Sequence, residues 1–143
     1  MPTMSKSLED YLEMIFVLIR DRRYARVRDV ANALHVKMPS VVKAISELKK
    51  LELATQEPYG DIELTPKGRR CAADILGRHT TLHSFLLQLG VSEATADRDA
   101  CLMEHILSAE TMDRIKAFLA RSRKVKTADR RKAGARQPAQ GKA

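Results

Sequence analysis

The feature that most constrains this chain is an order of local signals between residues 27 and 66. In the short stretch 27–34, Val30, Ala31 and Leu34 share one helical face. His35-Val36-Lys37-Met38 breaks it as a turn. Pro39 then fits the first position of a second helix over 39–51, where the N–H that proline lacks would have no partner. Val41 or Val42, Ile45 and Leu48 face inward, and Ser40, Lys43, Ser46 and Glu47 lie largely outward. Two short alternating runs come next, Leu53-Ala54-Thr55-Gln56-Glu57 and Ile62-Glu63-Leu64, split by the turn residues Pro58-Tyr59-Gly60-Asp61. Thr65 and Pro66 then supply an N-cap and a first-turn proline for another helix. A helix pair alone would suit any αα-hairpin. A hairpin directly after it, and a capped helix after that, predict a winged helix-turn-helix.

The flanking segments read as helices. Residues 6–20 repeat Leu8, Tyr11, Leu12, Ile15, Phe16 and Ile19 at three- and four-residue steps, with Ser5 or Ser7 as the cap. A long helix runs from Pro66 to about Leu89, and Gly90 can stop it. Another spans about 93–107. Ser108-Ala109-Glu110 caps a last one over about 111–120, with Met112, Ile115, Phe118 and Leu119 as its stripe. These stripes exceed what one small domain buries, so a homodimer through residues 66–120 is expected.

Three residues in the 93–107 helix carry chemistry. Cys101, Glu104 and His105 fall at i, i+3 and i+4, on one face. Thiolate, carboxylate and imidazole together make a mixed donor set for a divalent transition metal. A buried cysteine is more often a small apolar filler, so the rest of the chain has to supply support. His79 and His83, four apart, also share a face, and Asp10 and Glu13 lie one turn apart on the first helix.

Composition sets the class. At 143 residues the chain suits one ordinary domain or two small ones. Two cysteines give no disulfide framework and point to a reduced, cytoplasmic setting. The opening Met-Pro-Thr-Met-Ser-Lys-Ser has no apolar signal core, and no apolar run approaches the roughly 20 residues that span a bilayer, so no membrane partner is expected. The net charge of +8 belongs to residues 121–143, where nine Lys/Arg face Asp129 alone; the other 120 residues sum to zero. Within those, residues 20–50 carry nine bases against three acids, and residues 81–120 three against six. A basic first half and an acidic second half suit a nucleic-acid reader joined to a cation-binding or dimerising part. The tail lacks an apolar period and reads as disordered; it could add non-specific phosphate affinity or simply aid solubility. The fold class is therefore mainly α: a winged helix-turn-helix over 1–65, an all-helical dimerisation and metal-binding domain over 66–120, and a disordered basic tail over 121–143.

Several of these residues also carry a resemblance. Leu8-Glu9-Asp10-Tyr11-Leu12-Glu13, Tyr24-Ala25-Arg26-Val27, Leu64-Thr65-Pro66-Lys67-Gly68, Arg78-His79, and Glu104-His105 followed by Ser108 together resemble the diphtheria toxin repressor family. The likeness covers residues 7–119 and is greater to the short branch, the manganese transport regulators. It implies a homodimeric repressor that binds double-stranded operator DNA when Mn(II) or Fe(II) is bound, controlling metal-homeostasis genes. Asp10 and Glu13 match the acidic first-helix ligands of the manganese branch. His79 matches a metal-binding histidine of both branches, and Glu104 and His105 match their shared pair. Cys101 stands where the manganese branch has Glu and matches the cysteine of the iron branch, whereas Asp10 departs from the Met of that branch. His83 falls where the iron branch has an acidic ancillary ligand, and Asp97 where it has a histidine. The site is a hybrid: its thiolate favours Fe(II), or adventitious Zn(II), and its carboxylates favour Mn(II). The further C-terminal domain of the longer iron regulators is expected to be absent.

The resemblance implies that metal joins the first helix to the dimer-forming helices and so fixes the two recognition helices about one DNA turn apart. Ser40 and Lys43, with Pro39 beside them, are candidates for the groove, and Arg26, Arg28 and Lys37 for phosphates. Two rivals remain. A zinc hydrolase would need an open coordination position and a general base, and the chain has no His-Glu-x-x-His motif and no nucleophile elbow. A metal-independent winged-helix DNA binder would bind DNA equally well without metal.

Overall fold

The computed structural model describes residues 3–135. The elements run α1 (Lys6–Arg22), α2 (Val27–Leu34), α3 (Met38–Lys50), β1 (Ala54–Gln56), β2 (Ile62–Leu64), α4 (Pro66–Gln88), α5 (Glu93–Met103) and α6 (Ala109–Gly134). The chain forms two compact units that divide between Arg78 and His79, within α4.

The first unit is built on α1. Ser5 is its cap, with Oγ accepting from the Leu8 N–H at 3.2 Å. Its buried stripe is Leu8, Tyr11, Leu12, Ile15 and Leu18; Phe16 and Ile19 pack at the rim. Against it lie Val30 and Ala31 of α2 and Val41, Ala44, Ile45 and Leu48 of α3. Val41 is the inward valine, and Val42 is exposed. Helix α3 opens one residue earlier than expected, at Met38, which puts Pro39 at the second position; the N–H there also lacks an intrahelical partner, so proline costs nothing. His35 makes the turn between the two helices in the left-handed region (φ 55°).

The wing is a two-stranded antiparallel sheet in the register Ala54↔Leu64, Thr55↔Glu63, Gln56↔Ile62. Leu53, Ala54, Ile62 and Leu64 turn into the core, and the Tyr59 side chain stands fully in solvent at the tip. The Ile62 N–H donates to Ala25 O at 2.8 Å, which ties the wing to the segment before α2. Thr65 caps α4, its Oγ1 accepting from the Gly68 N–H at 3.0 Å. The first half of α4 closes this core with Cys71, Ala72 and Ile75.

The second unit is all helical. Leu82 and Leu86 of α4, Ala96 and Ala100 of α5, and Met112, Ile115 and Leu119 of α6 form its core, with Phe85 and Phe118 meeting edge to face at 5.8 Å. Gly90 ends the α4 turn at φ 90°, where a side chain would be strained. Ser108 caps α6, accepting from the Thr111 N–H at 3.2 Å.

Two boundaries differ from expectation. Helix α5 stops at Met103 rather than near Leu107, because the Ile106 and Leu107 N–H groups both turn back to Met103 O at 3.1 Å. Residues 121–134, expected to be disordered, continue α6 to Gly134. Ala, Arg and Lys are strong helix formers, and no Pro or Gly interrupts them before Gly134. Residues 136–143 of the expected tail lie outside the described residues.

Candidate metal centre

The end of α5 gathers three donor types. Glu104 is the C-cap, with helical dihedrals (φ −58°, ψ −26°) and its N–H on Ala100 O at 3.0 Å. The chain thus keeps a helical course just past the last α5 residue, and the shared face expected for Cys101, Glu104 and His105 survives the early stop. One donor atom from each of the three lies within 4.8 Å of the others. Two donors on opposite sides of one ion, at bonds of about 2.0–2.3 Å, are up to about 4.6 Å apart, so the trio fits a metal shell after slight closure.

Glu104 is the unusual member. At 1 % exposure it is the one carboxylate sequestered from water among the described residues. A buried carboxylate costs several kcal/mol unless donors or cations surround it. Two imidazoles lie beside this one. His79 Nδ1 lies 2.9 Å from Glu104 Oε2, and His105 Nε2 lies 3.3 Å from Oε1. The His105 side chain is 3 % exposed, so this contact is dry. The other nitrogen of His79, Nε2, is 3.1 Å from Asp97 Oδ1. Asp97, His79 and Glu104 thus form a chain that leads from the surface to the buried carboxylate, and Cys101 and His105 stand beside its inner end.

His83 and Asp97, both expected at ancillary positions, go to different partners. Asp97 joins His79. His83 stacks on the His79 ring (6.2 Å between centroids, 11° between planes), which four-residue spacing on α4 allows, and its Nε2 meets Glu93 Oε1 at 3.2 Å. Glu93 is a residue that sequence reasoning misses. It opens α5, where an acid is ordinarily read as a partner of the helix dipole, and that hides any second role.

In the first unit, Asp10 pairs with Lys6 at 3.5 Å, one turn back on α1, and Glu13 is half-buried. Of the residues expected to touch DNA, Arg26, Arg28, Lys37, Pro39, Ser40 and Lys43, each is at least partly open to solvent. Ser40 and Lys43 line a cleft of about 290 Å³ with Ser5, Ser7, Tyr11 and Glu47, at the start of both α1 and α3. Arg26 is held on two sides: its Nε meets Asp61 Oδ1 of the wing at 3.0 Å, and its guanidinium lies 5.2 Å from the centre of the Tyr24 ring. No described helix is long and apolar enough to cross a membrane.

Comparison with known proteins fits both units. Residues 3–62 match the family model of the iron dependent repressor N-terminal DNA binding domain, and residues 65–128 that of the iron dependent repressor metal binding and dimerisation domain. The chain is 45 % identical over 115 residues to the HTH-type transcriptional regulator MntR of Geobacillus kaustophilus, covering 80 % of each. Among solved structures it is similar to IdeR of T. acidophilum (30 % identity, TM-score 0.71, 84 % of this chain and 56 % of that one). It is also similar to a manganese-dependent transcriptional repressor in complex with manganese (26 % identity, TM-score 0.67, 79 % and 52 %). It thus spans a little over half the length of those two solved chains. A winged helix-turn-helix, a helical unit bearing a Cys-Glu-His cluster around a buried carboxylate, and these matches agree: the chain belongs to the iron-dependent repressor family of DNA-binding, metal-dependent transcriptional regulators.

Proposed function

We propose that the chain acts as a homodimeric repressor that grips operator DNA when Fe(II) or Mn(II) is held by Cys101, Glu104, His105 and His79, with Asp10 and Glu13 completing the set. The observation that carries this is the sequestered Glu104 flanked by a thiol and two imidazoles. Such a donor set has little use in a purely structural core and suits a borderline divalent ion. His83 and Asp97 are ancillary in this reading: Asp97 orients the His79 ring through a hydrogen bond, as partners of ligating histidines commonly do. Cys101 tilts the preference toward Fe(II). The ion, when bound, supplies positive charge that offsets the clustered carboxylates.

The protein's own residues account for transmission. Asp10 and Glu13 sit on α1, and the buried stripe of α1 shares one core with Val41, Ala44, Ile45 and Leu48 of the recognition helix. Restraining α1 therefore restrains α3, because close-packed cores shift as blocks. Pro39, Ser40 and Lys43 then read the groove, and Arg26, Arg28 and Lys37 hold phosphates. Metal controls affinity to the extent that it binds the DNA-competent arrangement better than the free one. The chain on this reading is a cytoplasmic regulator of metal-homeostasis genes and not an enzyme.

Anaerobic anisotropy on operator-like DNA tests it, without metal and with Fe(II) or Mn(II), for wild type and Cys101→Glu. Metal should tighten wild-type binding about tenfold or more, within the usual range of allosteric coupling. Cys101→Glu should move the preference from Fe(II) toward Mn(II). Equal affinity in the apo and metal forms would instead make the chain a metal-independent DNA binder.

A further inference from the structure

The stretch of α6 beyond Leu119 has no core to serve. Met112, Ile115 and Leu119 form its buried face. The same face continues, at four- and three-residue steps, as Arg123, Lys126 and Arg130. A second ridge carries Arg121, Lys124, Arg131 and Lys132. Seven cations thus stand on residues 121–134 against Asp129 alone, and apart from the half-buried Ser122 every position is exposed. Among the described residues none of the seven joins an ion pair. Like charges one turn apart weaken a helix, so this concentration opposes its own folding and calls for a partner that compensates it.

We infer that residues 121–134 are a second DNA contact, a basic helical arm that binds the phosphodiester backbone of duplex DNA without regard to sequence. The inference rests on the DNA-binding reading of the chain. Fourteen helical residues extend about 20 Å, along which duplex DNA offers a phosphate charge every ~1.7 Å. Arg and Lys on two ridges suit phosphates approached from either side, and counterion release supplies the free energy. A membrane surface is a poorer fit, because an interfacial helix needs an apolar face and Val125 is the one large apolar residue of this stretch. The arm would hold the chain on any DNA while its recognition helices search for the operator.

The test uses the full-length chain with Arg123, Lys126, Arg130 and Arg131 replaced by Gln, which keeps helix propensity. Anisotropy with a non-operator duplex of roughly 30 base pairs, in saturating Mn(II), is read across about 50–300 mM KCl. Each phosphate that is no longer neutralised should lower the slope of log K against log salt by about 0.9, so a drop of about 2 or more is expected, with affinity at least about tenfold weaker near 100 mM salt. Circular dichroism and Mn(II) titration without DNA should match wild type, which separates a folding defect from weakened phosphate binding. Unchanged slope and affinity in the variant would overturn the arm and leave the DNA-binding reading intact. Failure of wild type itself to bind any duplex would overturn both.

Discussion

Glu104 places a formal charge in a part of the second unit that water does not reach. The imidazoles of His79 and His105 lie beside its two oxygens, at 2.9 and 3.3 Å. Glu104→Gln keeps the shape and removes the anionic donor. The variant is expected to unfold at or slightly above the wild-type temperature without metal, because a desolvated charge is gone. With Mn(II) at about a hundredfold over Kd, wild type should gain about 2.7 kcal/mol and the variant well under half of that. Thermal or urea unfolding with and without Mn(II) decides it; equal gains would show that Glu104 is not a ligand.

Helix α4 shows how one element can place two glycines under opposite demands. Gly68 lies in its first turn, where a Cβ would sit 1.9 Å from the Leu53 carbonyl oxygen and 2.8 Å from its carbon. That approach lets Thr65 Oγ1 donate to Glu52 O at 2.7 Å and Lys67 Nζ to Leu51 O at 3.0 Å, which fastens the helix start to the chain leading into the wing. Gly77 lies mid-helix with nothing within 4 Å of the corresponding position. Gly68→Ala should destabilise by about 2 kcal/mol or more, as overpacking against backbone does. Gly77→Ala should stabilise by about 0.5–1 kcal/mol, the propensity gain in a helix interior. Urea midpoints of the two variants should bracket wild type; a Gly68→Ala midpoint at or above wild type would refute the packing of Gly68 on Leu53, and a Gly77→Ala midpoint below it would refute the open site at Gly77.

At the scale of the whole molecule, apolar surface bears on the assembly. The helical unit buries a small core and leaves Leu87, Leu89, Leu102, Ile106 and Phe118 exposed, Ile106 at 78 %. Scattered single residues of this kind are ordinary, but Leu102, in the last turn of α5, and Ile106, in the turn just after it, lie four apart in a region that matches a dimerisation domain. A double variant, Leu102→Glu with Ile106→Glu, should sediment as a monomer at micromolar concentration and bind operator-like DNA more than about tenfold more weakly, since half-sites are no longer read together. Leu89→Glu, remote in sequence from Cys101, Glu104 and His105, probes a second exposed leucine of this unit. A double variant that stays dimeric would put the interface elsewhere in residues 65–128.

Much of the fold is written locally. Ser5, Thr65 and Ser108 each announce a helix start within three residues, and each makes the capping bond expected of it. The wing arises from turn residues between two alternating runs, and α1 from a stripe repeated every three or four positions. These signals act over one or two turns of chain, so periodicity and turn chemistry reveal them. The candidate metal cluster is partly of this kind, because Cys101, Glu104 and His105 are neighbours on one helical course. The charge of residues 121–134 masks a helix whose propensity is in plain view. Other features need the packed helices: Val41 rather than Val42 facing inward, His79 meeting Glu104 across 25 residues, and Asp97 and Glu93 dividing His79 and His83 between them. A capping bond depends on dihedrals a few residues apart. A contact between α4 and α5 depends on how two buried faces settle against each other, and that is decided only when the core around Leu82, Ala96 and Ala100 closes.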